Sequence, residues 1–173
     1  MTTQEVVELS SEGVLVEAKR ANDGRLVSRL RFTPELNPVD RGNMHFSPAY
    51  PRYAFPLEVG KVWERDVTGD NSAQGKSWRY KVKGRVAGWE KVVVKAGQFD
   101  ALRVEIEAYY QGRDTWSAGG GRSTETIWFA PAVNSFVKLD YEDTDWNGKV
   151  FNRSYWELTA FDVKQPSTMK ASD

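Results

Sequence analysis

The sequence predicts an all-β protein: a single curved antiparallel meander of about ten strands, half-open or closed into a barrel, with little helix. Three observations carry this. Apolar and polar residues alternate with a period of two along most of the chain, a pattern that gives a strand one dry and one wet face but scatters around a helix. Turn-forming residues punctuate the alternating runs. The 173 residues also include seven tryptophans, seven tyrosines and eight phenylalanines, types that favour half-buried pleated surface.

The elements follow in order. Val14, Val16 and Ala18 alternate with Glu17 and Lys19, Asn22-Asp23-Gly24 supplies a turn, and Leu26, Ser28, Leu30 and Phe32 return opposite Arg25, Arg29 and Arg31. This reads as a hairpin. From Pro34 to Pro56 the alternation stops and five prolines crowd one stretch; proline cannot donate to a ladder. Residues 34–56 therefore read as a long loop, rich in aromatics, that plugs one end of the barrel. Val59 to Asp66 allows a short helical turn. In SWRYKVKGRVAGWE, Trp78, Tyr80, Val82, Gly84 and Val86 share one face and Arg79, Lys81, Lys83 and Arg85 the other. After a bend at Ala96-Gly97, Leu102, Val104, Ile106 and Ala108 oppose Arg103, Glu105 and Glu107, so Arg103 and Glu105 are expected to face the cationic row across the ladder. Further strands are expected at Ser123–Phe129, Phe136–Tyr141 and Val150–Phe161. Residues 1–164 read as one barrel-like domain, and 165–173 as a flexible polar tail.

Composition narrows the function. Lysine plus arginine total 24, as do aspartate plus glutamate, so no global field draws nucleic acid or an anionic membrane. With no cysteine and one histidine, zinc–thiolate sites, thiol nucleophiles and multi-histidine metal sites are excluded. No apolar run of about 18 residues marks a membrane-spanning helix. The start, MTTQEVVELS, lacks the order of a signal peptide; export is expected to depend on a leader or anchor outside this sequence.

The site candidates are few. Asp143-Thr-Asp145-Trp-Asn147-Gly148 matches the opening of a calcium loop. Position twelve, however, is Ser154 rather than glutamate, and Asn-Gly between alternating runs is a strong hairpin signal, so the turn reading is preferred. Gly119-Gly120-Gly121 reads as a hairpin tip because no helix follows it to complete a phosphate cradle. His45 sits in the proline-rich stretch with no nucleophile elbow nearby. Asn152-Arg153-Ser154 matches a glycosylation sequon of low specificity. No catalytic residue and no cofactor motif emerges. The aromatics Trp78, Tyr80, Trp128, Tyr155 and Trp156 are the candidate ligand-binding set, lining a concave face for a hydrophobic or amphipathic molecule.

Two motifs carry a resemblance. GWEKVVVKAGQFDALRVEIE is similar to a G-x-E-x-V-x-V-P-A-G-T-F-D-A-L-R-V signature, and ETIWFAPAVNSFVKLDYE to the T-I-W-Y-A-P-x-V-x-x-x-V-K that follows it. FPLEVGKVWE and the closing YWELTAF fall where such chains have them. The region from Phe55 to Asp162 thus resembles exported bacterial β-proteins of unknown function, often lipoproteins, of a TapB-like type. Lys95 replaces the usual proline, Gln98 a threonine, and Ala132 the glycine of some members. The resemblance implies a barrel-like sheet and an envelope location, periplasmic or membrane-tethered, and it carries over no catalytic residue. The expected function is non-catalytic: binding of a hydrophobic small molecule or an envelope protein on the concave aromatic face. The alternatives are a packed interaction module using an outer face or edge strand, and a calcium-assisted hydrolase using Asp143, Asp145 or Glu157.

Overall fold

The computed structural model describes residues 2–113 and 119–162. Eleven strands form one antiparallel sheet whose spatial order is the chain order: β1 (Thr2–Ser10), β2 (Gly13–Arg20), β3 (Leu26–Phe32), β4 (Pro38–Arg41), β5 (Met44–Ser47), β6 (Val62–Asn71), β7 (Lys76–Val94), β8 (Gly97–Gly112), β9 (Gly120–Ala130), β10 (Ser135–Asp145) and β11 (Val150–Glu157). β1 and β11 do not pair with each other, so the sheet is an open, curved meander rather than a closed barrel. The only described helix is a 3₁₀ turn at Pro131–Val133. The tail expectation for residues 165–173 lies outside the described residues.

Alternation places the inner face as expected. Val82 and Val86 of β7 are buried, Trp78 and Tyr80 are half-buried, and Arg79, Lys81, Lys83 and Arg85 are exposed. The inner core joins Val82, Val86 and Tyr80 to Val67, Leu102, Val104, Ile106, Ala108, Ile127, Phe129 and Leu139. On the outer face Arg85 bonds Glu105 at 2.7 Å, as the sequence leads one to expect. Lys81 and Lys83 flank Glu64 at 3.2 and 3.3 Å.

Four expectations are corrected. Residues 34–56 are not all loop: β4 and β5 lie within them as a short hairpin turning at Gly42 (φ 61°). Pro38 begins β4 and Pro48 follows β5, positions at which a missing ladder donor costs nothing. Only the segment that follows, residues 48–57, acts as the expected plug, laying Tyr50, Tyr53 and Leu57 against the inner core. The helical turn at 59–66 is instead largely β6, whose Trp63 packs on the inner face where Gly84 leaves room for its ring. Of the three consecutive glycines, Gly120 and Gly121 belong to β9 rather than to a tip. A β1 strand also precedes the first expected hairpin.

The outer face has a second core. Val92, Val94, Phe99, Ala101, Trp128, Ala130 and Val137 cluster there, with Leu158 packed against them. A bulge between Val86 and Gly88 shifts the register, so even-numbered residues of β7 point inward before it and outward after it. Leu158 ties the chain down over this patch: its amide donates to the Val137 carbonyl at 2.8 Å, and its carbonyl accepts from the Ala96 amide at 3.1 Å. Phe161 meets Phe99 edge-to-face at 5.8 Å.

Candidate functional site

Where the β4–β5 hairpin crosses the inner face, packing is incomplete. A cavity of about 370 Å³, partly open to solvent, remains, and its walls include Arg41, Met44, Phe46, Tyr50, Tyr80, Ser123, Glu125 and Tyr141. The sheet register builds the far wall. Glu125 pairs with Tyr141 across β9–β10 and with Ile106 across β8–β9, so its carboxylate enters the interior in phase with Ile127 and Phe129.

A buried charge needs partners. Arg52, from the covering segment, donates from Nε and Nη2 to Glu125 Oε2 at 3.0 Å. Arg41 reaches the other oxygen at 3.6 Å and sits 5.5 Å from the centre of the Tyr141 ring, over its face. Glu125 is thus held between two guanidiniums and is unsuited to act as a free base.

The rings form a connected group. Phe46 lies 5.3 Å from Tyr50 and 5.9 Å from Tyr80, and Tyr80 lies 5.5 Å from Tyr110. Burial pushes the Tyr80 phenol up to about 12, with the Asp143 charge adding to the effect. Burial likewise raises Tyr50, Tyr110 and Tyr141. Tyr110 donates to Asp143 Oδ1 at 2.6 Å. Burial raises the Asp143 carboxyl above the usual carboxylate range, against the lowering effect of that hydrogen bond. The cavity therefore offers neutral phenol donors and aromatic faces, with one compensated charge cluster at its wall. This equipment suits holding and orienting a small molecule.

The structure separates the sequence-predicted aromatics. Trp78, Tyr80 and Trp156 are on the inner face, the last through its pairing with Leu139, and of these only Tyr80 lines the cavity. Trp128 and Tyr155 are on the outer face. The Trp128 indole donates to Glu90 at 2.7 Å beneath the Lys138 ammonium, 4.2 Å from its ring centre. Tyr155 is 55% exposed and donates to Glu157. One shared concave face for all five is therefore corrected: adjacent residues such as Tyr155 and Trp156 project to opposite sides. Sequence reasoning missed Arg41, Tyr50, Glu125 and Tyr141. Glu125 carried a readable signal, being in phase with Ile127 and Phe129.

The remaining candidates resolve locally. Residues 146–149 join β10 to β11 as the expected turn, and Asp145 Oδ1 accepts from the amides of Asn147 and Lys149 at 2.8 and 2.9 Å. Asp143 is engaged by Tyr110, while Glu157 sits on the outer face 3.4 Å from Lys95. Among the described residues no group of three or more histidines, aspartates or glutamates is placed to hold a metal ion. His45, on β5, bonds Asp40 at 2.6 Å at the surface. No helix of the described residues is long and apolar enough to cross a membrane.

No family model matches the chain, and no curated protein matches it in sequence. Solved structures do. A "putative lipoprotein" from Parabacteroides distasonis superposes with a TM-score of 0.53 at 19% identity, covering 92% of this chain and 86% of that one. A "putative exported protein with YmcC-like fold" from Bacteroides fragilis gives 0.47 at 14%, covering 91% and 85%. The "hypothetical lipoprotein YmcC" from Escherichia coli gives 0.41 at 13%, covering 89% and 79%. At 19% identity the first likeness is one of fold.

Proposed function

We propose that the protein is a non-catalytic binding protein of the bacterial cell envelope that takes a small amphipathic molecule into the inner cavity. The observation that carries this is the cavity of about 370 Å³ between the β4–β5 hairpin and the inner face. Its volume falls within the roughly 300–1,000 Å³ of small-molecule sites. Aromatic faces supply the apolar contact, and the phenols and Arg41 supply polar contacts to one end of the ligand. Tyr50, Tyr53 and Leu57 fill the neighbouring interior, so the ligand is short rather than a long acyl chain threaded through the sheet. The envelope location is supported by the likeness of fold to the "putative lipoprotein" of Parabacteroides distasonis and by the family resemblance of residues 55–162.

The test uses octanoate as an anionic short amphipath and octylamine as its cationic counterpart, followed by calorimetry and thermal melting. Saturable binding that disappears in Ser123→Phe, a variant that fills the cavity, supports the reading. No heat with either probe, or unchanged binding in a folded Ser123→Phe, overturns it.

A second reading rests on the sheet edges. β1 is exposed along its whole length, with Val6 and Leu9 at 59% and 77%. Such an edge is a template for strand addition by an envelope protein.

A further inference from the structure

The outer face carries an arrangement that neither the fold nor the inner cavity uses. Trp146, in the β10–β11 turn, lies parallel to Tyr109 of β8, with 6° between ring planes and 6.4 Å between centres. The protein goes to some length to hold this indole. A Cβ on Gly120 would come within 2.6 Å of Trp146 Nε1, so the glycine is what lets the ring lie against the sheet. Asp145 fixes the turn through two backbone amides, and Gly148 adopts φ 80° to close it. Yet Trp146 remains 59% exposed and Tyr109 39%. The stacked pair thus leaves aromatic surface open beside the sheet.

Beside the pair runs a groove of about 500 Å³ whose walls include Asp66, Thr68, Arg79, Lys81 and Gln111. Strand pairing sets these residues in two rows: Thr68, Arg79 and Gln111 in one, Asp66, Lys81 and Tyr109 in the next. The groove thus joins an aromatic surface to a short-range mixture of donors and acceptors. Arg79 and Lys81 face Asp66, and Lys81 is also held by Glu64 at 3.2 Å, so the cationic character of the groove rests on Arg79.

We propose that this groove is a binding site for an acidic saccharide. A pyranose ring has an apolar C–H face that packs on the negative π-face of an indole or phenol. Its rim of hydroxyls matches Thr68, Gln111 and Asp66. A uronate carboxylate matches the planar fork of Arg79. The groove shares Tyr80 with the inner cavity, but the ring pair, Arg79 and the probes below belong to the groove alone, so its failure and that of the reading above are distinguishable.

The experiment titrates the full chain with trigalacturonate, with cellotriose as the neutral counterpart and oligothymidylate as a non-sugar anion that also stacks. Calorimetry and tryptophan fluorescence are the readouts. Trigalacturonate is expected to bind more tightly than cellotriose, about tenfold more weakly in Trp146→Ala, and with its preference over cellotriose lost in Arg79→Gln. Trp146→Tyr, which keeps a stacking ring, is expected to restore most of the affinity. Absence of binding by either sugar, binding indifferent to Trp146→Ala in a chain that keeps its circular dichroism, or tighter binding of oligothymidylate than of trigalacturonate overturns the proposal.

Discussion

Arg52 and Glu125 are separated by 73 residues in sequence, and their side chains meet inside the sheet with both reaching nitrogens 3.0 Å from one carboxylate oxygen. Arg52 is 6% exposed and Glu125 2%, so water does little to screen either charge. The pair fastens the covering segment to β9. Burial acts to lower the Arg52 pKa, but the Glu125 charge and nearby groups outweigh it and hold it above its ordinary value.

Replacing Glu125 with Gln keeps the shape and removes the compensating charge. Breaking a buried pair in this way costs about 3–5 kcal/mol. Chemical denaturation should show a loss of that order, with limited proteolysis first cutting within residues 48–57. A variant as stable as the parent would mean that the glutamine carbonyl and solvent satisfy Arg52 after all.

Gly84→Ala is a test of the Trp63 contact. The added methyl would fall inside the indole, whose Nε1 donates to the Pro51 carbonyl at 2.8 Å. The ring cannot yield without releasing that bond, so overpacking should cost about 1–3 kcal/mol. Melting temperature and a red shift in tryptophan emission report it together.

Asp143 gives a pH signature with a definite sign. Burial raises its carboxyl in the folded chain, so the folded state holds this proton more readily than the unfolded one. The cost of ionising it is present in full above the folded pKa and vanishes as pH falls towards the ordinary carboxylate value. Asp143→Asn should therefore be more stable than the parent at neutral pH, with the difference narrowing on acidification. Urea unfolding across a pH series measures this, and a variant less stable at neutral pH would show the charged hydrogen bond from Tyr110 to be the larger effect.

Lys138→Met removes the ammonium above Trp128 while keeping the aliphatic stem. Cation–π contacts at partly exposed sites contribute about 0.5–1 kcal/mol. A loss of that size is expected, and it should disappear when the comparison is repeated in a Trp128→Leu background, since a double-mutant cycle isolates the pair.

Much of the fold was legible because period-two alternation survives local detail. Arg79 and Lys81 are outside and Val82 and Val86 inside, as the pattern requires. What the pattern could not show was its own reversal. The bulge at Val86/Gly88 inverts the sidedness of β7, and the shift between Phe136 and Lys138 leaves Val137 and Lys138 opposite Trp128 on the outer side. A register shift leaves no compositional trace, so the outer placement of Val92 and Val94 was hidden, whereas Trp128 is opposed to Ile127 and Phe129 by alternation alone. Tyr155 is the same case: alternation alone opposes it to Trp156. The cavity was hidden for another reason. Its walls come from β4, β5, the segment after β5, β6, β7, β9 and β10, elements that only the folded sheet brings together.

The strictly sequential strand order has a consequence for biosynthesis. A nascent chain leaving the ribosome can zip each new strand onto the one before it, and no segment has to thread past another. The exception is the stretch carrying Tyr50, Arg52 and Tyr53, whose docking surface on β9 emerges some 70 residues later. Until β9 is synthesised, that stretch and the valines it will cover stand open to water, and a chaperone escorting the unfinished polypeptide would find its apolar target there.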